Sequence, residues 1–153
     1  MKIEAHLNAT GKKFAIVASR FNDLIVKELT SGAYHTLLRY GVEDSHITIV
    51  HVPGAFEIPL TALKLCKTNK YDGVICLGAV IKGATDHYDY VCSEVAKGIS
   101  YASLQTGIPC TFGVLTTNTF EEAQERAGGK LGNKGSETAL TTLEMANLMT
   151  LLK

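Results

Sequence analysis

The sequence predicts an α/β fold, a parallel β-sheet covered on both faces by helices. Three observations carry that expectation. Apolar runs of strand length recur at Phe14–Ala18, Ile47–Val52, Val74–Ile81 and Cys110–Leu115. Segments with apolar residues at helical spacing separate them. The runs are close to continuously apolar, as strands buried between two helical layers are. At 153 residues the chain has room for one domain with a real core and none for a second, so 1–153 is read as a single domain.

The first ten residues form either an added strand or an arm that reaches a neighbour. The first strand ends at Ser19-Arg20-Phe21-Asn22, where Asn22 or Asp23 can cap a helix. Val26, Leu29, Ala33 and Leu37 follow at helical spacing until Gly41 stops them. Ile47–Val52 is closed by Pro53-Gly54, and a helix covers about Glu57 to Lys67. Tyr71-Asp72-Gly73 turns into the third strand. The next helix starts around Tyr88, buries Val91, Val95, Ile99 and Ala102, and ends at Gly107 and Pro109. Beyond the fourth strand, Thr119 caps a short helix with Glu121 and Glu122 in its first turn. A basic, glycine-rich segment from Gly128 to Gly135 precedes a last helix from about Ser136 to Leu151. Leu140, Leu143, Asn147 or Leu148, and Leu151 mark one side of it. The expected architecture is a flavodoxin-like three-layer α/β/α sandwich with a four-stranded parallel sheet, which the N-terminal strand of a neighbour could extend.

Formal net charge is zero, with acids and bases mixed throughout. That argues against nucleic acid, because binding a phosphate backbone needs a concentrated basic surface. No apolar run approaches the roughly 20 residues that span a bilayer. Met1 to Thr10 lack the apolar stretch of a signal peptide. The reading is a cytoplasmic chain with no membrane partner. The four cysteines, Cys66, Cys76, Cys92 and Cys110, show no C-x-x-C pairing. Cys76 and Cys110 fall in apolar strands and read as buried thiols rather than as metal ligands or a disulfide. His46 and His51 flank a strand at an odd separation, so they point to opposite faces and make a poor metal pair.

In parallel sheets of this kind, ligands bind beyond the carboxyl ends of the strands. Ser19–Asn22, Pro53–Glu57, Lys82–His87 and Thr116–Asn118 all fall there. The stretch from Leu77 to Val91 is the most informative. Its strand ends in a glycine turn, a helix begins a few residues later, and the unpaired N–H groups of a helix start can hold an anion. His87 stands in that corner, and an imidazole titrates near neutrality, which suits proton transfer. The plainer alternative is a surface or packing histidine. The spacing Gly78-x-x-x-x-Gly83 imitates a P-loop, but that motif places Lys directly after its last glycine. Here Lys82 precedes Gly83 and Ala84 follows it, so an ATPase is excluded.

Phe21 and Phe56 lie just past strand ends, where an aromatic either stacks on a planar ring or forms a lid over the core. Glu57 offers a carboxylate to ring N–H groups or to a hydroxyl. Arg126, Lys130 and Lys134 recur at the spacing of a solvated helix face. The interleaved Gly128, Gly129, Gly132 and Gly135 would each cost such a helix about 1 kcal/mol relative to Ala, so a loop that delivers cations to an anionic ligand is the alternative. No Ser-His-Asp order, G-x-S-x-G elbow or G-x-G-x-x-G fingerprint is present.

Five motifs occur together in order: Ser19-Arg20-Phe21-Asn22, Val52-Pro53-Gly54-Ala55-Phe56-Glu57-Ile58-Pro59, Gly78-Ala79-Val80-Ile81-Lys82-Gly83-Ala84-Thr85 continuing to His87-Tyr88-Asp89-Tyr90-Val91, Phe112-Gly113-Val114-Leu115, and Gly132-Asn133-Lys134-Gly135. Each is weak alone; in register they are specific. Over nearly its whole length the chain resembles the 6,7-dimethyl-8-ribityllumazine synthase family. The resemblance implies the penultimate step of riboflavin biosynthesis, without cofactor or metal. In that step 5-amino-6-(D-ribitylamino)uracil condenses with 3,4-dihydroxy-2-butanone 4-phosphate to give 6,7-dimethyl-8-ribityllumazine, phosphate and water. It further implies that His87 transfers protons and that Phe21 stacks on the pyrimidine. Ala55, Phe56 and Glu57, with Ala79, Val80 and Ile81, would contact the pyrimidine and its ribityl chain. Ala84 and Thr85 with Arg126 would hold the butanone phosphate, with Lys134 as a phosphate neighbour. Phe112 matches a pyrimidine contact that the family supplies from the adjacent subunit.

The family assembles as homo-oligomeric pentamers with sites at subunit interfaces, some closing into 60-subunit icosahedral shells, and riboflavin synthase is a candidate partner. No insertion is evident between Arg126 and Gly135, which leaves a shell open to this chain. Asp86 stands where relatives often carry a neutral residue, and a carboxylate beside an imidazole raises its pKa. Two other functions would keep the same scaffold. A non-catalytic binder of a flavin-like or pteridine-like ring would need neither His87 nor Arg126. A shell protein would assemble without turnover.

Overall fold

The structure, a computed structural model, describes all 153 residues. Its elements are β1 (Phe14–Ser19), α1 (Asp23–Arg39), β2 (Ile47–Val52), α2 (Ile58–Lys67), β3 (Gly73–Ile81), α3 (His87–Thr106), β4 (Cys110–Thr117), α4 (Phe120–Glu125), β5 (Ala127–Gly129), β6 (Gly132–Asn133) and α5 (Lys134–Leu151). The first four strands make one sheet in the order β2-β1-β3-β4, parallel throughout. Side chains alternate across it. Phe14, Ile16 and Ala18, with Ile75, Leu77 and Ala79, pack toward α1 and α5. Ala15 and Val17, with Val74, Cys76 and Val80, pack toward α2 and α3. The result is the three-layer α/β/α arrangement expected from the apolar runs.

The central strands β1 and β3 are buried along almost their whole length, whereas the edge strand β2 is mostly half-buried or exposed. The other edge strand, β4, is buried except at the exposed Phe112 and Thr116 and the half-buried Cys110. Those exposed positions open a second concavity, described below.

Two details depart from the sequence reading, and a third concerns the N-terminal residues, for which it left an arm open. Asn22 occupies the N-cap position of α1, but its backbone is left-handed (φ 61°, ψ 47°) and its side chain makes no capping bond. Asparagine tolerates that conformation, and its Nδ2 instead donates to the Ala79 carbonyl at 2.8 Å, joining the ends of β1 and β3. The buried face of α5 is not a leucine stripe. It consists of Gly135, Thr138, Ala139, Thr142, Leu143, Ala146 and Asn147, while Leu140 is half-buried and Leu151 exposed. Small residues bring this helix close: a Cβ at Gly135 would collide with the Leu29 carbonyl of α1. Its threonines satisfy themselves, Thr138 Oγ1 donating to Lys134 O (2.6 Å) and Thr142 Oγ1 to Thr138 O (2.7 Å). A threonine paired in this way is buried at little cost, which leucine periodicity does not register.

Third, residues 1–13 contain no strand. They lie along α5 as an arm, with the buried Asn147 amide donating to the carbonyls of His6 (2.7 Å) and Asn8 (3.0 Å), and Ala9 fully buried. No helix is long and apolar enough to cross a membrane.

Candidate active site

The carboxyl ends of β1, β2 and β3 are stitched together by backbone hydrogen bonds. Arg20 N donates to Val52 O (2.8 Å) and Phe21 N to Pro53 O (3.1 Å), so the chain leaving β1 follows the chain leaving β2. With the Asn22 latch to β3, this frames a cavity of about 520 Å³. Ala55, Ala79, Val80 and Ile81 supply apolar wall. Phe21 and Phe56 line it while remaining 72% and 57% exposed, so neither ring is a lid over the core. Glu57 lines it as well. Gly54 gives its carboxylate room: the Gly54 backbone is extended (φ −147°, ψ 179°) and needs no glycine, but a Cβ there would stand 3.1 Å from Glu57 Oε2. Glycine keeps that space for the carboxylate.

Gly83, Thr85 and His87 line the same cavity at the start of α3. The N–H groups of Gly83, Ala84, Thr85 and Asp86 donate to no group of the chain, and His87 N has only a 3.4 Å contact to Thr85 Oγ1. Asp86 occupies the N-cap position without a capping bond. The positive end of a 20-residue helix therefore opens beside the imidazole, an arrangement suited to an anion. His87 is the first residue of α3 and exposed. The Asp86 carboxylate forms no ion pair with it. Ala84 is exposed in the turn and does not line the cavity.

Sequence reasoning missed Tyr88 as a wall of the site. Its phenol is pushed above the usual tyrosine range by burial and by the nearby Cys92, so at neutral pH it is a hydrogen-bond donor. The signal was its place directly after His87.

Phe112, Arg126 and Lys134 are brought together elsewhere, in a second concavity of about 460 Å³ alongside β4. Arg126 was expected beside Ala84 and Thr85; within one chain it is not there. The reason is topological. Past β4 the chain runs through α4, and the β5–β6 hairpin then doubles back so that Lys134 N donates to Arg126 O at 2.8 Å. Gly128 and Gly132 make that reversal with φ +95° and +86°, values that side chains disfavour, so the cationic spacing is not one helix face. Arg126 Nη1 donates to Glu122 O (2.8 Å) and lies 3.9 Å from Glu125, while Lys130 pairs with Glu125 (3.4 Å) and leaves the concavity. Phe112 is 41% exposed on a strand whose neighbours are buried.

One chain thus carries an aromatic, apolar cavity bordered by His87 and, on another surface, an aromatic and cationic concavity. A family model described as 6,7-dimethyl-8-ribityllumazine synthase matches residues 11–150 of the chain.

Proposed function

The chain belongs to the 6,7-dimethyl-8-ribityllumazine synthase family, a family of transferases, and on that premise we propose that it makes the lumazine from 5-amino-6-(D-ribitylamino)uracil and 3,4-dihydroxy-2-butanone 4-phosphate. The observation that carries this reading is the convergence of Phe21, Phe56, Glu57, the free amides before α3 and His87 on one cavity. The pyrimidine stacks on Phe21, and Glu57 with the backbone of Ala55 and of Ala79, Val80 and Ile81 reads its ring and ribityl chain. The turn at Ala84 and Thr85 seats the phosphate. The pyrimidine amine attacks the ketone, a Schiff base forms with loss of water, phosphate leaves, and the ring closes with loss of a second water. His87 moves protons at the amine and at the departing oxygen. Most of the rate comes from holding two substrates in register, worth about 7–11 kcal/mol. One positioned acid–base group adds about 10²–10⁴-fold.

The second concavity completes the site from an adjacent copy. Phe112 covers the pyrimidine, and Arg126 with Lys134 adds cations at the phosphate. A ring of five copies joined head to tail satisfies that geometry, since such an interface repeats until it closes. Association of pentamers into a shell, and of that shell with riboflavin synthase, extends the same reading. The test mixes the purified protein with both substrates and follows the fluorescence of the lumazine, with pyrimidine alone as control. No lumazine from folded, assembled protein would refute the assignment.

A further inference from the structure

Toward the end of the sheet opposite the cavity, three thiols share the core beneath α2 and α3: Cys66 in the last turn of α2, Cys76 in β3 and Cys110 at the start of β4. The sulfur atoms of Cys66 and Cys110 lie 3.2 Å apart although the residues are 44 positions apart in sequence. Both are held in place. Cys110 N donates to Ser103 Oγ (3.1 Å), which donates to Ile108 O (3.2 Å), fixing the turn from α3 into β4. Cys66 is 1% exposed and its carbonyl accepts from Asn69 N at 3.1 Å. A disulfide brings its sulfurs to about 2.05 Å, so from 3.2 Å each would move roughly 0.6 Å.

We infer that Cys66 and Cys110 are a modification site, closing a reversible intrachain disulfide when hydrogen peroxide oxidises them. The two thiols share a hydrogen bond that either sulfur can donate; given by Cys110, it lowers the Cys66 thiol against the opposing effect of burial, and in that arrangement Cys66 is the sulfur that ionises. Cys66 is buried, so peroxide meets it when the end of α2, beside the exposed Lys67–Lys70 stretch, opens locally. The Cys66 thiolate attacks one peroxide oxygen, the O–O bond breaks, and the departing hydroxide takes a proton to become water. Cys66 is then a sulfenic acid. The Cys110 sulfur attacks Cys66 Sγ, the S–O bond breaks, and the Cys110 proton leaves with the hydroxyl as a second water. The two thiols lose two electrons and one peroxide becomes two waters. Cys76, fully buried, is held protonated by desolvation and stays out of the exchange.

The test treats the native full-length protein with hydrogen peroxide, blocks remaining thiols, and reads the non-reduced intact mass and peptide map. The expected product is one chain lighter by two hydrogens, with Cys66 linked to Cys110. Its Tm at fixed protein concentration should rise by roughly 5–10 °C, and dithiothreitol should reverse that rise. Cys110→Ser should leave Cys66 as a dimedone-reactive sulfenic acid, while Cys76→Ser should still form the link. The inference is overturned if Cys66 and Cys110 remain alkylatable in peroxide-treated folded wild type, or if the link joins two chains or uses Cys76. A linked product with a Tm at or below that of the reduced protein would also overturn it.

Discussion

Replacing Arg126 with alanine isolates the phosphate half of the proposed site. The guanidinium is already tethered, with Nη1 on Glu122 O at 2.8 Å, so little ordering remains to be done when an anion arrives. A charge-assisted hydrogen bond is worth about 1.5–3 kcal/mol, or about 10–150-fold. Because the side chain is 42% exposed, solvent screening favours the lower end, about 10–30-fold. Initial rates of lumazine fluorescence, with each substrate varied in turn, should show that rise in the apparent KM of the butanone phosphate and none in that of the pyrimidine. An unchanged KM for the phosphate substrate would remove Arg126 from the site. A second arm tests the composite geometry. When Arg126→Ala and His87→Ala chains are co-expressed with distinct tags and purified as mixed assemblies, about a quarter of the sites in a head-to-tail ring regain both native groups. Activity no greater than the mean of the two variants would place both groups in one chain and refute the two-copy site.

His87→Ala should lower kcat by about 10²–10⁴-fold yet leave turnover measurable, because substrate orientation survives; a folded, assembled variant with no turnover would contradict that division of labour. Gly135→Ala forces a Cβ against the Leu29 carbonyl. Overpacking of about 1–3 kcal/mol should lower the Tm by roughly 2–10 °C in a calorimetric scan, and an unchanged Tm would show that α1 and α5 separate freely. Asn147→Ala removes the two amide donations that hold the arm, so limited trypsin digestion should cut faster at Lys12 and Lys13. Cleavage at the wild-type rate would mean that other contacts hold residues 1–13.

The order of strands and helices was readable because each apolar run has one natural environment, the inside of a covered parallel sheet. Thr119 likewise capped α4 as its type and place suggest, accepting from Glu122 N at 3.1 Å. Most of the first cavity was also readable, since residues just past strand ends in such a sheet converge whatever their identity. Asn22 stands at the N-cap as its type and place suggest, but its side chain serves a longer-range bond to Ala79 that no local pattern reports. Gly135 was grouped with the loop glycines, yet its constraint is the Leu29 backbone of a helix far away in sequence.

From sequence alone came the α/β class, the poles at which chemistry is possible, and the residue types gathered there. Tertiary structure decided that these residues fall into two concavities rather than one, because β4 is an edge strand and the hairpin after α4 folds back alongside it. It also set two thiols 44 positions apart within 3.2 Å. Local pattern records what a residue prefers next to its chain neighbours. Which distant group it meets depends on how helices pack across the sheet, and that is settled only when the layers close.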